Sequence, residues 1–92
     1  IGCGVQASNT ASYGDAFNAA GGGVWATQFD VAGVFIWYWN RSSVPDALKR
    51  SSTSKTLNIS SWGAPTGSFP SISCDIAKYF GPQRLTLDID LC

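Results

Sequence analysis

Apolar residues concentrate in two stretches of the chain. From Val24 to Asn40, Val, Trp, Thr, Phe, Ile and Tyr dominate, broken only at Val31-Ala32-Gly33. That composition predicts two strands joined by a tight turn. From Arg84 to Leu91, the residues Leu85, Leu87, Ile89 and Leu91 alternate with Arg84, Thr86, Asp88 and Asp90, which predicts a half-buried strand. Asp75 is placed to cap a short helix running through Phe80, with Ile76, Tyr79 and Phe80 on one face and Gly81-Pro82 ending it. Residues 1–23 are small and polar and read as a long ordered loop, with a helical turn near Asp15–Ala20. Ser51–Thr56 is a polar loop tip, and Ser61–Ser73, with two Gly and two Pro, reads as irregular surface. No repeat of 20 to 50 residues is present. The expected class is all-β, antiparallel, with one short helix.

The register of the hairpin decides its chemistry. If the connecting loop has an even number of residues, Trp25, Thr27, Phe29 and Val31 share a face with Val34, Ile36 and Tyr38. That set is an ordinary core. The other face then collects Ala26, Gln28 and Asp30 beside Phe35, Trp37 and Trp39. Flat rings among hydrogen-bonding groups suit a sugar surface, where rings stack on pyranose faces and amides or carboxylates take hydroxyls. A second core layer under another sheet accounts for the same residues, and an odd loop would exchange the partners. On the platform reading Trp37 and Trp39 are partly exposed, and Trp25 and Phe29 are buried.

At 92 residues only one small core can form. With 45% hydrophobic and 13% aromatic residues the chain is too apolar for disorder. Six basic and six acidic residues cancel, so the basic footprint of a nucleic-acid binder is missing. The longest apolar run, Val31 to Trp39, is too short to cross a bilayer. Cys3, Cys74 and Cys92 match no zinc or dithiol spacing, and without His no closed metal site is expected; no cofactor is implied. An odd cysteine count, together with Asn40-Arg41-Ser42 and Asn58-Ile59-Ser60 as glycosylation acceptor patterns, points to a secreted setting. The chain starts at Ile1 with neither Met nor a basic leader, so any signal peptide is expected to be gone already.

Every acidic residue is Asp; there is no Glu. Mechanisms that need paired glutamates therefore have no candidates in this stretch. Asp88 and Asp90 are the one carboxylate pair on a shared strand face, and solvated strand polarity explains them as well as glycoside chemistry does. Gly21-Gly22-Gly23 lacks the Gly-Lys-Ser/Thr ending of a phosphate loop and reads as a place where backbone passes close to another group.

Taken in order, a longer run of residues resembles a known family. Gly2-Cys3-Gly4-Val5-Gln6, Ser12-Tyr13-Gly14 with Phe17-Asn18, Gly21-Gly22-Gly23-Val24-Trp25-Ala26, and Val34–Trp39 with Arg41 and Val44-Pro45 are similar to the second half of fungal family 16 glycoside hydrolases of the laminarinase type. Trp62-Gly63-x-Pro65, Phe69-Pro70, Cys74-Asp75-Ile76 with Phe80, and the run into Leu91-Cys92 continue the same order across essentially the whole chain.

The resemblance implies a β-jelly-roll sandwich, concanavalin-like, of which residues 1–92 form the C-terminal portion. It implies retaining hydrolysis of β-1,3 or mixed β-1,3/1,4 glucans, with a pair of catalytic glutamates on a strand upstream of Ile1 and none here. The usual Gly-Asp-Trp-Ala-Gly after the last cysteine is absent, so the chain is expected to be a fragment whose partner is the N-terminal half of the same domain. Carried over residue by residue, Trp37, Trp39 and Arg41 lie on or at the rim of the cleft sheet. Trp62 sits in a loop over one end, and Gln28 faces the glucan. Gln28, Phe29, Asn40 and Tyr79 depart from the family's Glu, Trp, Pro and His, which bears on substrate contacts. Cys74 and Cys92 bracket the short helix and the returning strand and are the expected disulfide, while Cys3 is left for a partner outside the chain. The leading expectation is the substrate-cleft half of a secreted endo-β-1,3(4)-glucanase; a noncatalytic β-glucan-binding fragment, or an interaction piece whose tryptophans pack against a partner, would use the same face.

Overall fold

A computed structural model describes residues 2–89 of the chain. Its centre is the predicted hairpin. Strand β1 (Gly23–Asp30) pairs antiparallel with β2 (Gly33–Asn40) in the register Val24↔Trp39, Ala26↔Trp37, Gln28↔Phe35 and Asp30↔Gly33. Opposed residues share a face, so Gln28 and Asp30 lie with Phe35, Trp37 and Trp39, and Trp25, Thr27 and Phe29 lie with Val34, Ile36 and Tyr38. The loop is the two residues Val31-Ala32, the even case.

Two-residue hairpins usually need positive φ inside the turn, but neither Val31 nor Ala32 has it. The Asp30 carboxylate closes this turn instead, accepting the Ala32 N–H at 2.8 Å, and Gly33 absorbs the unusual backbone at φ 139°. Only glycine fits there, because a Cβ would collide with the Phe69 carbonyl oxygen.

A third strand, β3 (Gly67–Pro70), pairs antiparallel with the first half of β2, giving the order β1-β2-β3. It lies inside Ser61–Ser73, which sequence reasoning left irregular. Its four residues include Gly and Pro, and an edge strand tolerates both. The helical content also exceeds the single short helix expected. Helix α1 (Gly14–Ala19) replaces the turn anticipated at Asp15–Ala20, α2 (Asp46–Lys49) follows Pro45, and α3 (Ile76–Tyr79) is the predicted one, its Asp75 side chain accepting the Lys78 N–H. Short 3-10 turns occupy Arg41–Ser43, Ser51–Thr53 and Ser71–Ser73.

The expected strand at 84–91 is not formed among the described residues: 83–89 have no regular structure, and Leu85, Leu87 and Ile89 are 85–91% exposed. Alternation supplies an apolar face, but a strand also needs a neighbour for its N–H and C=O groups, and the three-stranded sheet brings none to this segment. Leu91 and Asp90 lie outside the described residues.

The apolar sheet face is only partly covered. Residues of the N-terminal segment cross one end of it, where the Tyr38 hydroxyl donates to Ala11 O at 2.7 Å and Trp25 Nε1 donates to Ser12 O at 3.3 Å. At the other end, Phe80 meets Phe29 edge to face at 5.6 Å. Trp25 and Phe29 nonetheless stay 47% and 43% exposed, against the expectation that they are buried. The chain has 7507 Å² of accessible surface, whereas a compact monomer of 9.7 kDa would have about 5,100 Å². Its radius of gyration is 15.0 Å, against about 12 Å for a compact domain of this length. A single sheet layer has two faces, and these residues supply the cover for little more than one.

Candidate functional site

The polar and aromatic face of the sheet carries the candidate site. Trp37 and Trp39 lie two residues apart on β2, so both indoles leave the same side. The turn at residues 60–62 carries Trp62 over them: Trp62 N donates to Ile59 O at 3.1 Å, and Ser60 N donates to Asn58 Oδ1 at 3.0 Å. The Trp62 ring stands roughly perpendicular to both, 5.2 Å from Trp37 and 5.0 Å from Trp39 between centroids, with interplanar angles of 77° and 78°. Perpendicular contacts of this kind place the positive ring edge on a negative ring face.

This cluster separates the two tryptophans that sequence reasoning treated alike. Trp37 is 7% exposed and donates Nε1 to Gly63 O at 3.1 Å, so it is a core residue rather than the half-exposed platform expected. Trp62 is 8% exposed, and its Nε1 is buried without a hydrogen-bond partner among the described residues. Trp39 remains half-buried and lines an open cleft of about 520 Å³ with Ser43, Asp46, Arg50, Asn58 and Ser60. That volume is ordinary for a small-molecule site, and the lining joins the half-buried indole to charged and hydroxyl groups. Sequence reasoning missed Ser43, Asp46 and Arg50. The available signal was Pro45-Asp46, a Pro and an acid at the start of a helical turn.

Further along the same face, Gln28 is half-buried and donates Nε2 to Asp30 Oδ2 at 2.6 Å. Asp30 thereby accepts from Gln28 and from Ala32, and these bonds, the Gln28 one first, hold its carboxyl below the ordinary carboxylate value. With one N–H committed to Asp30, the Gln28 amide keeps its carbonyl oxygen and its second N–H for a ligand. Gln28 and Trp39 are separated by four residues of strand, roughly 13 Å, the scale of an extended chain rather than one ring.

Arg41 is exposed at the end of β2. Its guanidinium passes over Gly22, where a Cβ would stand 3.3 Å from the nearer nitrogen, and it lines a separate recess with Val24, Val44, Leu48 and Lys49. It lies at the rim of the sheet, not in the cleft beside Trp39. Asn40 is half-buried, its Oδ1 3.0 Å from the Tyr38 hydroxyl, whereas Asn58 is exposed at the cleft. Cys74 is half-buried and Cys3 exposed, and both line one apolar groove; among the described residues neither forms a disulfide, and Cys92 lies outside them. Among the described residues no group of His, Cys and acidic side chains could hold a metal ion, and no helix is long and apolar enough to cross a membrane. Asp88 lies in the exposed, unpaired stretch.

An antiparallel sheet with an aromatic, polar-lined face and a second face left half-covered is one layer of a β-sandwich. The signature of the XgeA-like, catalytic GH16 domain matches residues 1–92, and the chain belongs to glycoside hydrolase family 16. It is 40% identical over 92 residues to the endo-1,3(4)-beta-glucanase xgeA of Emericella nidulans and 37% identical over 91 residues to a probable glycosidase of Schizosaccharomyces pombe. It covers 100% and 99% of itself in these matches but only 14% and 21% of those relatives. Among solved structures it is similar to the GH16 laminarinase 16A of Phanerochaete chrysosporium, which holds two β-glucans in donor and acceptor sites: TM-score 0.72, 38% identity, 87% of this chain and 27% of that one. An elongating GH family 16 β-1,3-glucosyltransferase matches with a TM-score of 0.66 and 38% identity over 78% of this chain and 23% of its own. The antiparallel sheet thus has the jelly-roll architecture of these neighbours.

Proposed function

We propose that these residues form the substrate-cleft part of a secreted endo-β-1,3(4)-glucanase domain, with the catalytic glutamates supplied by chain outside this stretch. The observation that carries the reading is the half-buried Trp39, braced by Trp62 and opening onto a polar-lined cleft on the same sheet face as the Gln28–Asp30 pair. Trp39 supplies a stacking surface for a pyranose. The Gln28 carbonyl accepts from a sugar hydroxyl further along the strip, and Asp46 and Arg50 provide an acceptor and donors at the cleft wall. Relatives that act on β-glucans, and a neighbour that holds two of them, support the substrate class.

Retaining hydrolysis requires two carboxyl groups roughly 5–5.5 Å apart, and a chain without Glu is not expected to assemble them. The purified 92-mer should release no reducing sugar from laminarin, and activity should appear on adding the missing upstream part of the domain. Hydrolysis by the 92-mer alone, abolished by Asp88→Asn with Asp90→Asn, would refute the reading. Laminarin binding by the 92-mer without any gain of activity on complementation would instead favour a noncatalytic glucan-binding role.

A further inference from the structure

We propose that Asn58, and not Asn40, carries an N-linked glycan, and that this glycan occupies the cleft beside Trp39. The assignment of the modified residue stands alone; its effect on glucan binding rests on the function proposed above.

Both asparagines satisfy the acceptor pattern in sequence, so the difference between them lies in which modified side chain the native fold accommodates. Transfer moves an oligosaccharide from a lipid-linked pyrophosphate donor. The bond from C1 of the first sugar to the pyrophosphate oxygen breaks, and the lipid pyrophosphate leaves with the electron pair. C1 then bonds to the asparagine Nδ2, which gives up one proton. The product is compatible with the native fold only if Nδ2 points to solvent.

Asn40 fails that condition. It is the last residue of β2, paired with Gly23, and its half-buried amide head rests on the Tyr38 hydroxyl at 3.0 Å. That hydroxyl has one proton and a shorter bond to Ala11 O, 2.7 Å. Turning the Asn40 amide so that its nitrogen donates to the hydroxyl would satisfy all three groups. In either orientation part of the half-buried amide rests on Tyr38, which leaves an attached sugar less room than at the exposed Asn58, and the chain turns at once into the 3-10 helix Arg41–Ser43.

Asn58 meets it. The residue is exposed in a segment without regular structure, and its Oδ1 accepts the Ser60 N–H at 3.0 Å. That bond orients the side chain through its oxygen and leaves Nδ2 with no hydrogen bond among the described residues. The same side chain lines the 520 Å³ cleft with Trp39, Asp46 and Arg50. A sugar attached at Nδ2 therefore begins at the cleft, next to the half-buried Trp39 indole and hydrogen-bonding groups, and competes with glucan for that end of the strip.

The test uses the full-length protein secreted from a eukaryotic host, digested and treated with endoglycosidase H before mass spectrometry. A single N-acetylhexosamine remnant is expected on the Asn58 peptide and none on the Asn40 peptide; a bare Asn58 or a modified Asn40 would overturn the assignment. Binding of laminarin to the secreted wild type is then compared before and after endoglycosidase H treatment of the native protein, with bacterially made wild type, which carries no glycan, taken through the same treatment. We expect the trimmed secreted protein to bind at least threefold more tightly than the untrimmed one, and the bacterial protein to be unchanged by the treatment. Equal affinity before and after trimming, or an equal gain in the bacterial protein, would refute occupation of the cleft. Absence of laminarin binding in all four samples would refute the glucan reading, while the peptide map still decides which asparagine is modified.

Discussion

Replacing Trp37 and Trp39 one at a time by Ala in the full-length protein separates packing from binding. Trp37 is 7% exposed, meets the Trp62 ring at 5.2 Å and donates its indole N–H to Gly63 O. Truncating a buried Trp costs roughly 3–5 kcal/mol, and the Gly63 carbonyl is left without its donor. For a domain of 150–250 residues that corresponds to a fall in thermal midpoint of about 6–20 °C. Trp39 is half-buried, and its loss removes one edge contact with Trp62, worth about 0.5–1.5 kcal/mol. If a pyranose covers roughly 60 Å² of its free face, the lost burial at about 25 cal/mol per Å² is about 1.5 kcal/mol, a roughly tenfold weaker Kd. Thermal midpoint by circular dichroism and laminarin affinity per folded molecule would be measured for both variants. The expected pattern is a large stability loss at Trp37 with little affinity change in the folded fraction, and the reverse at Trp39. A Trp39→Ala protein with a collapsed midpoint and unchanged affinity would show that Trp39 is core and that the platform reading is wrong.

Asp30 should make stability depend on acid pH. Its carboxyl is held below the ordinary value by Gln28 and by the Ala32 N–H, so its contribution is fully present above the unfolded pKa near 3.9 and is lost as pH falls through the lower folded value. Asp30→Asn should flatten that part of a midpoint-against-pH curve, and an unchanged curve would argue against the Gln28–Asp30 bond. Gly33→Ala should cost at least about 1–3 kcal/mol in backbone strain alone, because φ is 139° and the new Cβ meets the Phe69 carbonyl; a neutral variant in urea unfolding would contradict the turn geometry. A Cys74–Cys92 disulfide would close a loop contributing about 3 kcal/mol on the chain-entropy model, and non-reducing peptide mapping of the full-length protein should find it. Finding Cys3 joined to Cys74 would reject that pairing.

The hairpin was legible because both of its determinants are local. Eight-residue runs rich in β-branched and aromatic residues set the strands, and alternation limited the faces to two sets; the two-residue loop then selects the one that joins Gln28 with Trp37 and Trp39. Glycosidase family membership was legible for a different reason: many short motifs kept their order along the chain. What no local rule contained was which faces are covered. Trp37 and Trp39 have the same residue type and the same alternation, and the loop bearing Trp62, 23 to 25 positions away, buries one and leaves the other open. The same limit explains β3, whose Gly67 and Pro70 read as loop until β2 offered an edge, and Leu85, Leu87 and Ile89, whose clean alternation found no edge at all. Trp25 and Phe29 carry a core pattern without a core over them. Periodicity identifies a face that would gain by burial; only the tertiary arrangement, through the side chains and backbone groups it brings opposite, decides whether that gain is realised.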